Sequence, residues 1–118
     1  MTMDDIIFEF YDEQEFDAFL LSLPLKERVR LVTLIAKIQQ RGLIDATQMH
    51  WVSKLDDNLF EIRSKFANNI QRALYFHVEG THFVITHGFT KKSQKTPLKE
   101  LNKAKNRRSE WEKHNGNI

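Results

Sequence analysis

The spacing of apolar and polar positions divides the chain into a helical first part and a strand-rich second part. Residues 6–11 are β-branched and aromatic, which predicts a first strand. Asp12 with Glu15 three residues later resembles a capping box, so a short helix is predicted to begin there. Pro24 ends that helix.

A second and longer helix is predicted from about residue 25 to residue 41, with Gly42 as its C-terminal cap. The two helices form a hairpin with Pro24 near its corner. Apolar positions at helical spacing predict one wide stripe on the second helix. The stripe consists of Leu25, Val29, Val32 and Ala36, widened by Leu31, Leu34, Ile35 and Ile38.

After a stretch interpreted as a loop (residues 43–54), the pattern changes to that of β-strands. Three strands are predicted, at residues 59–66, 70–78 and 83–89. Asn68-Asn69 and residues 79–81 supply tight turns, because Asn and Gly tolerate positive φ.

Pro97 opens a final helix that runs to about Lys113. Its positions predicted to face the sheet are Leu98, Leu101, Ala104 and Trp111. The order β-α-α-β-β-β-α predicts an α+β fold, with an antiparallel sheet packed by an N-terminal helical hairpin and a C-terminal helix. At 118 residues the chain suits a single domain spanning 1–118.

Composition narrows the classes of function. There is no cysteine, which excludes disulfides, zinc–thiolate sites and thiol nucleophiles. The acidic N-terminus has no basic n-region and no long apolar run, so we expect no signal peptide, and no stretch approaches the ~18 apolar residues of a membrane span. We therefore expect a cytoplasmic protein without a membrane partner.

Charge is distributed unevenly although the net charge is only +2. Residues 1–23 carry seven acids and no Lys or Arg, whereas residues 91–114 carry nine bases and three acids. A polyanion would be attracted to the second segment. The alternative is a solvated, lysine-rich helix.

Two arginines in the predicted strands are candidates for phosphate binding. Arg63 shares a polar strand face with Glu61, so it is either a ligand-binding cation or an exposed partner of that carboxylate. Arg72 alternates with apolar residues, where an Arg is costly unless it is paired or lies at an opening. Arg72 therefore has two alternative roles. It forms a structural ion pair, for instance with Glu61, or it binds phosphate at a concave lip of the sheet, and we favour the second.

His87 lies near the end of the last predicted strand, and three lysines, Lys91, Lys92 and Lys95, lie between that strand and the final helix. Free N–H groups at a helix N-terminus attract anions, so this segment is a candidate phosphate site; a solvated loop is the alternative. No familiar catalytic motif occurs, and the five histidines lack metal-ligand spacing. We expect neither a metal nor a cofactor.

These segments together resemble a known family. The runs LFEIR (59–63), RALYF (72–76) and HGFTKKSQKTP (87–97) are similar to the phage-derived HigB-like branch of the RelE/ParE toxin superfamily. The resemblance is strong over about residues 55–108. It implies a RelE-like fold, a type II toxin–antitoxin system, and an mRNA endonuclease that usually depends on the ribosome.

The resemblance also implies a helix-turn-helix, HigA-like antitoxin as partner. Arg63 and Arg72 match the family's strand arginines, and Lys91, Lys92 and Lys95 match its basic loop. The chain has no Tyr after position 75, so the C-terminal catalytic Tyr of some RelE relatives is missing. Without that Tyr as a candidate base, Lys and His are the residue types that remain.

The mechanism expected from these residues needs no metal, since RNA carries its own nucleophile, the ribose 2′-OH. Arg63 and Arg72 would clamp the scissile phosphate, and the loop lysines would stabilise charge or protonate the leaving oxygen. His87 would be an acid or base, or else a packed strand residue. Residues predicted to bind RNA through its backbone are Lys54, Lys65, Lys99, Lys103, Lys105 and Arg107.

Other functions fit the same residues. A gyrase-inhibiting toxin of the ParE type shares the fold, and fold alone does not decide function. A non-catalytic nucleic-acid-binding phage protein would bind RNA without cleavage or growth arrest. A purely structural phage protein is the third alternative, and absence of a neighbouring antitoxin gene would support it.

Overall fold

The computed structural model describes residues 5–115, which form a five-stranded mixed sheet with helices on both faces. In chain order the elements are β1 (Ile7–Phe10), α1 (Glu13–Ser22), α2 (Leu25–Arg41), α3 (Leu43–Gln48), β2 (Val52–Asp56), β3 (Leu59–Phe66), β4 (Asn69–Glu79), β5 (His82–Lys91) and α4 (Leu98–Asn115). The predicted α+β class and the seven predicted elements are confirmed in order.

The sheet order is β1-β5-β4-β3-β2, so the four strands after the helices form an antiparallel meander. The first strand pairs with β5 in parallel, with Phe8 opposite Phe83. The sheet is therefore mixed and not wholly antiparallel as predicted. Since direction alternates along the meander, β2 runs opposite to β1, and the helical segment between them connects the two edges of the sheet.

The prediction of a loop at residues 43–54 is wrong, since this stretch contains α3 and the beginning of β2. Gly42 has φ +89°, which lets the chain turn sharply from α2 into a helix of only six residues. β2 is an edge strand in which only Val52 is buried. It lacks a clear period-2 pattern, and its structure depends on pairing with β3.

The N-terminal helical hairpin covers one face of the sheet and forms the larger core. The Asp12 side chain accepts a hydrogen bond from the Glu15 backbone N–H at 3.0 Å, so the predicted cap of α1 is confirmed. Phe16 and Phe19 from this helix lie directly over Gly88 in β5. A Cβ atom at Gly88 would stand 2.5 Å from the Phe19 ring, so only glycine allows this approach.

α2 faces the core with a different stripe from the one predicted. Leu31 and Ile38 are buried, and Leu34 and Ile35 are half-buried, so the widening residues are those that pack. By contrast, the other row is exposed: Leu25 by 64%, Val29 by 54%, Val32 by 46%, and Ala36 as well. The predicted burial of that row is wrong, because the i, i+3, i+4, i+7 set starting at Leu31 alone meets the sheet.

α4 lies on the opposite face of the sheet over a small cluster of Leu59, Leu74 and Ala104. Leu101 packs against this cluster as predicted, whereas Leu98 is 68% exposed and does not face the sheet. The thin apolar contact leaves room on this face for polar residues of β3, β4 and β5. The candidate functional residues lie in that space.

Candidate nucleic-acid interface

A buried carboxylate, Glu61, joins the two strand arginines. Glu61 and Arg63 lie on one face of β3, and the register places Arg72 of β4 opposite Arg63. Glu61 Oε2 is 3.4 Å from Arg63 Nε, and Glu61 Oε1 is 3.4 Å from Arg72 Nη1. The predicted pairing of Glu61 with Arg63 is confirmed, and one carboxylate faces two guanidinium groups.

Arg72 is 0% exposed and therefore does not lie at an open lip of the sheet. Its Nη1 donates to Thr96 Oγ1 at 3.0 Å, and its Nη2 donates to the Ser93 carbonyl. Burial lowers the pKa of Arg72, and the Glu61 charge opposes that effect. The structural ion pair with Glu61 is the interpretation that the geometry supports, because a clamp on substrate requires an accessible guanidinium.

Thr96 completes the brace between the strands and the following loop. Its hydroxyl donates to Glu61 Oε1 at 2.6 Å, so a single carboxylate oxygen accepts from both Thr96 and Arg72. These hydrogen bonds hold the loop at residues 92–97 against β3 and β4. A lysine-rich segment that would otherwise be a solvated loop acquires a defined position.

Arg63 has a partly accessible side chain, 24% exposed, at the border of this loop. Its Nη2 donates to the Gln94 side-chain oxygen at 2.7 Å and to the Gln94 carbonyl at 3.1 Å. Lys91 ends β5, and Lys92 and Lys95 lie in the loop that bears Gln94; all three are exposed, and no ion-pair partner for them occurs within residues 5–115. Arg63 and these lysines are the members of the predicted catalytic set that face solvent.

His87 is a packed strand residue, so the alternative to a catalytic role is supported. It is 3% exposed, with Nε2 2.9 Å from Glu100 Oε1 and Nδ1 3.0 Å from Thr86 Oγ1. Burial lowers its pKa, while the hydrogen bond to Glu100 and its charge act in the opposite direction. Both ring nitrogens are engaged inside the protein, so the ring is not presented to a ligand.

The predicted RNA-binding cations of α4 are largely engaged by carboxylates. Lys105 Nζ is 2.7 Å from Asp56, Arg107 Nη2 is 2.8 Å from Glu15, and Lys103 Nζ is 3.8 Å from Glu15. Arg107 also donates to the Thr86 carbonyl at 2.9 Å. Glu15 of the acidic N-terminal part thus pairs with two cations of α4, and Asp56 of β2 pairs with a third.

The remaining predicted RNA-binding lysines are not engaged in this way. Lys54, Lys65 and Lys99 are exposed and have no ion pair with a described carboxylate. Whether any of the six contacts RNA stays a prediction. The structure separates free cations from paired ones, which charge counting along the sequence cannot do.

A groove of about 880 Å³ lies between α2 and the end of β3, and the sequence reasoning missed most of it. We call it the α2–β3 groove, and define it by Lys26, Arg30, Lys37, Trp51, Arg63, Lys65 and Phe66. A signal was present in the sequence: the cations at 26, 30 and 37 recur at helical spacing beside the exposed apolar row. Their grouping with Trp51 and Phe66 depends on the fold.

No group of three or more His, Cys, Asp or Glu side chains in residues 5–115 is placed to hold a metal ion. No helix within the same range has the length and apolar character needed to cross a membrane.

The fold and site define an α+β protein in which a buried carboxylate–arginine pair on β3 and β4 supports the cationic loop that follows β5. Residues 18–109 match the family model described as "Phage derived protein Gp49-like (DUF891)", and the chain belongs to this family. The family lies in the RelE/HigB-like toxin group. No curated protein matches the sequence.

Proposed function

We propose that this chain is the toxin of a type II toxin–antitoxin system and that it cleaves mRNA without a metal. The observation that carries the proposal is the cationic edge formed by Arg63 with Lys91, Lys92 and Lys95. These four cations face solvent together, and the buried brace beneath them fixes the loop that bears the last two. Membership of the Gp49-like family adds support for a toxin-like role.

The proposed reaction uses the substrate's own nucleophile. The ribose 2′-oxygen attacks the adjacent phosphorus, the bond to the 5′-oxygen of the next nucleotide breaks, and a 2′,3′-cyclic phosphate and a 5′-hydroxyl form. One proton leaves the 2′-OH and one is delivered to the departing oxygen. The protein therefore has to orient the strand, stabilise extra negative charge on phosphorus, and transfer protons.

Arg63 is the residue we assign to the phosphate, because its guanidinium is accessible and can donate to two phosphate oxygens. Its present partner, Gln94, is a neutral side chain that an anionic ligand can displace. The loop lysines supply charge stabilisation, and one of them protonates the departing oxygen. Glu61, Arg72 and Thr96 are positioning residues, since they hold the loop without facing solvent.

We further propose that the message is cleaved on the ribosome and that a helix-turn-helix antitoxin of the HigA type neutralises the toxin. Both proposals rest on the family resemblance. Finding a short helix-turn-helix reading frame next to the gene supports the antitoxin. Comparing cleavage of free and ribosome-bound message tests the first point.

The experiment that tests the function is induced expression followed by mapping of transcript 5′ ends. Wild-type protein is expected to produce new 5′ ends within translated messages before growth stops. The Arg63→Ala variant is expected to produce none at equal protein level. A parallel assay for DNA damage separates this outcome from gyrase inhibition, in which transcripts remain intact while DNA breaks accumulate.

A further inference from the structure

The end of β3 has a free edge that opens the α2–β3 groove. The pairing of β2 with β3 ends at Val52 opposite Ile62, and the Arg63 backbone N–H then donates to the Trp51 carbonyl at 2.9 Å. Beyond this point β3 has no partner strand on that side within the described chain. Because successive side chains alternate in a strand, residues 63–66 line the groove from both faces of the sheet.

The groove has a consistently positive lining. Lys26, Arg30 and Lys37 come from one side of α2, Lys65 and Arg63 come from β3, and none of the lining residues is Asp or Glu. Of these five cations only Arg63 has a carboxylate partner within residues 5–115. An unbalanced set of cations in a concave surface attracts a polyanion.

Aromatic rings lie between these cations. The Arg30 guanidinium carbon is 5.5 Å from the centroid of the Phe66 ring, and Lys37 Nζ is 5.9 Å from the centroid of Trp51. Arg41 also lies over Trp51, at 5.8 Å. Grooves that hold single-stranded nucleic acid combine cations for the backbone with aromatic and guanidinium planes on which bases stack.

We infer that the α2–β3 groove binds single-stranded RNA and leads it to Arg63. This inference rests on the proposed function for the identity of the ligand. Arg63 belongs both to the groove lining and to the cationic edge with Gln94, so a strand lying in the groove reaches the proposed site without a break. The exposed Leu25 and Val29 in the same lining offer apolar contact to bases and riboses.

The test measures binding apart from cleavage. The probe is a short single-stranded oligoribonucleotide in which every 2′-OH is methylated, so it has no attacking oxygen. Its affinity for the full chain is followed by fluorescence anisotropy over a range of salt concentrations. The groove variant is the triple Lys26→Ala, Arg30→Ala, Lys37→Ala, and the matched control is the triple Lys103→Ala, Lys105→Ala, Lys113→Ala on α4.

The groove triple is expected to bind the probe at least about tenfold more weakly than the wild type. The slope of log affinity against log salt is expected to become less steep by about 2, since each of the three lost phosphate contacts contributes about 0.7. The control triple is expected to change the slope by less than one contact, about 0.7. Equal loss in both triples, or loss in the control alone, overturns the inference. Thermal melting of each variant confirms that the fold is intact.

Trp51 supplies a second test that does not depend on charge. Trp51→Leu is expected to weaken binding by about 5- to 100-fold through loss of stacking, whereas Trp51→Phe retains most of the affinity. Equal affinity of the Leu and Phe variants for the probe would show that base stacking on residue 51 does not contribute to binding. Because Trp51 also packs against the core, the two variants are compared at matched fractions of folded protein.

The outcomes separate this inference from the proposed function. Groove-dependent binding of the methylated probe without cleavage of unmethylated message supports the groove and contradicts the nuclease. Cleavage that survives in the groove triple contradicts the groove and supports the nuclease. If the groove triple keeps its RNA affinity but no longer binds the adjacent antitoxin, the groove is a protein-docking surface and the inference is wrong.

Discussion

The cations of α4 and those of the α2–β3 groove look alike in sequence but differ in the fold. Three of the six cations of α4 meet carboxylates from distant segments, as in the pair Lys105–Asp56 at 2.7 Å. Of the five groove cations only Arg63 pairs with a described carboxylate, and the others meet aromatic rings or solvent, as with Arg30 over Phe66. The basic C-terminal segment is therefore neutralised in part along α4, whereas most groove cations and the loop lysines Lys91, Lys92 and Lys95 have no carboxylate partner within residues 5–115.

The pair Arg72–Glu61 is the extreme case of a paired cation, so its removal is expected to have the largest effect. Arg72→Ala leaves a buried carboxylate without a charge partner and is expected to cost about 3–5 kcal/mol in the free energy of unfolding. Denaturation in urea measures the loss. Adding Glu61→Gln to Arg72→Ala is expected to restore part of it, because the uncompensated charge is removed. A stable, fully toxic Arg72→Ala protein would contradict the brace.

Arg63 is accessible and shares the same carboxylate, so it should show the opposite behaviour. Arg63→Ala is expected to lower the rate of message cleavage about 100- to 1000-fold, the usual effect of losing one electrostatic donor at a reacting phosphate or carbonyl. Its stability is expected to change far less than that of Arg72→Ala. Arg63→Lys serves as the control that keeps the charge but not the paired donors. Normal cleavage by Arg63→Ala would exclude it from the site.

The His87–Glu100 pair gives a pH test of a structural against a catalytic role. Because the pKa of His87 is lowered in the folded state, chiefly by burial, its contribution to stability is present above the ordinary imidazole pKa. That contribution is lost as the pH falls through the range from about 6.5 downward. Glu100, Lys103 and Arg107 are the charged groups that act on the ring.

The His87→Gln variant is expected to show a flatter dependence of unfolding free energy on pH than the wild type. Its cleavage rate, measured at a pH where it is fully folded, is expected to stay within about tenfold of wild type, since a general acid or base contributes at least ~100-fold. A much larger loss of cleavage with an unchanged stability profile would restore His87 to the catalytic set.

Removal of a surface pair on α4 is expected to have the smallest effect. Lys105→Ala is expected to lower the free energy of unfolding by less than about 1 kcal/mol, and less still at high salt, because both partners are partly exposed. RNA affinity is expected to stay within twofold. A tenfold loss of RNA affinity in this variant would show that α4 contacts RNA in spite of its ion pairs.

Local sequence patterns predicted the elements whose signals are local. The Asp12 cap, the turn into α2 at Pro24 and the three long strands were all predictable from neighbouring residues. β2 was not, because an edge strand with one buried residue is stabilised by pairing and not by its own pattern. The turn after β3 likewise places Ala67 at positive φ, where Asn was expected.

The candidate site was predictable in its residue types more than in its geometry. Arg63 reaches solvent, as its place on the polar face of its strand suggested, and so do the lysines predicted to lie between the last strand and the final helix. The burial of Arg72 and His87 depends on the loop and α4 folding over them. The α2–β3 groove joins residues 26–37 with residues 51 and 63–66, and no local pattern brings such distant segments together.

The most direct measurement compares transcripts from cells that express the wild-type chain with those from cells that express Arg63→Ala. Primer extension across abundant messages is expected to show new 5′ ends, each carrying a 5′-hydroxyl, only with the wild type. Full-length messages in cells whose growth has stopped would contradict metal-free RNA cleavage by this cationic edge.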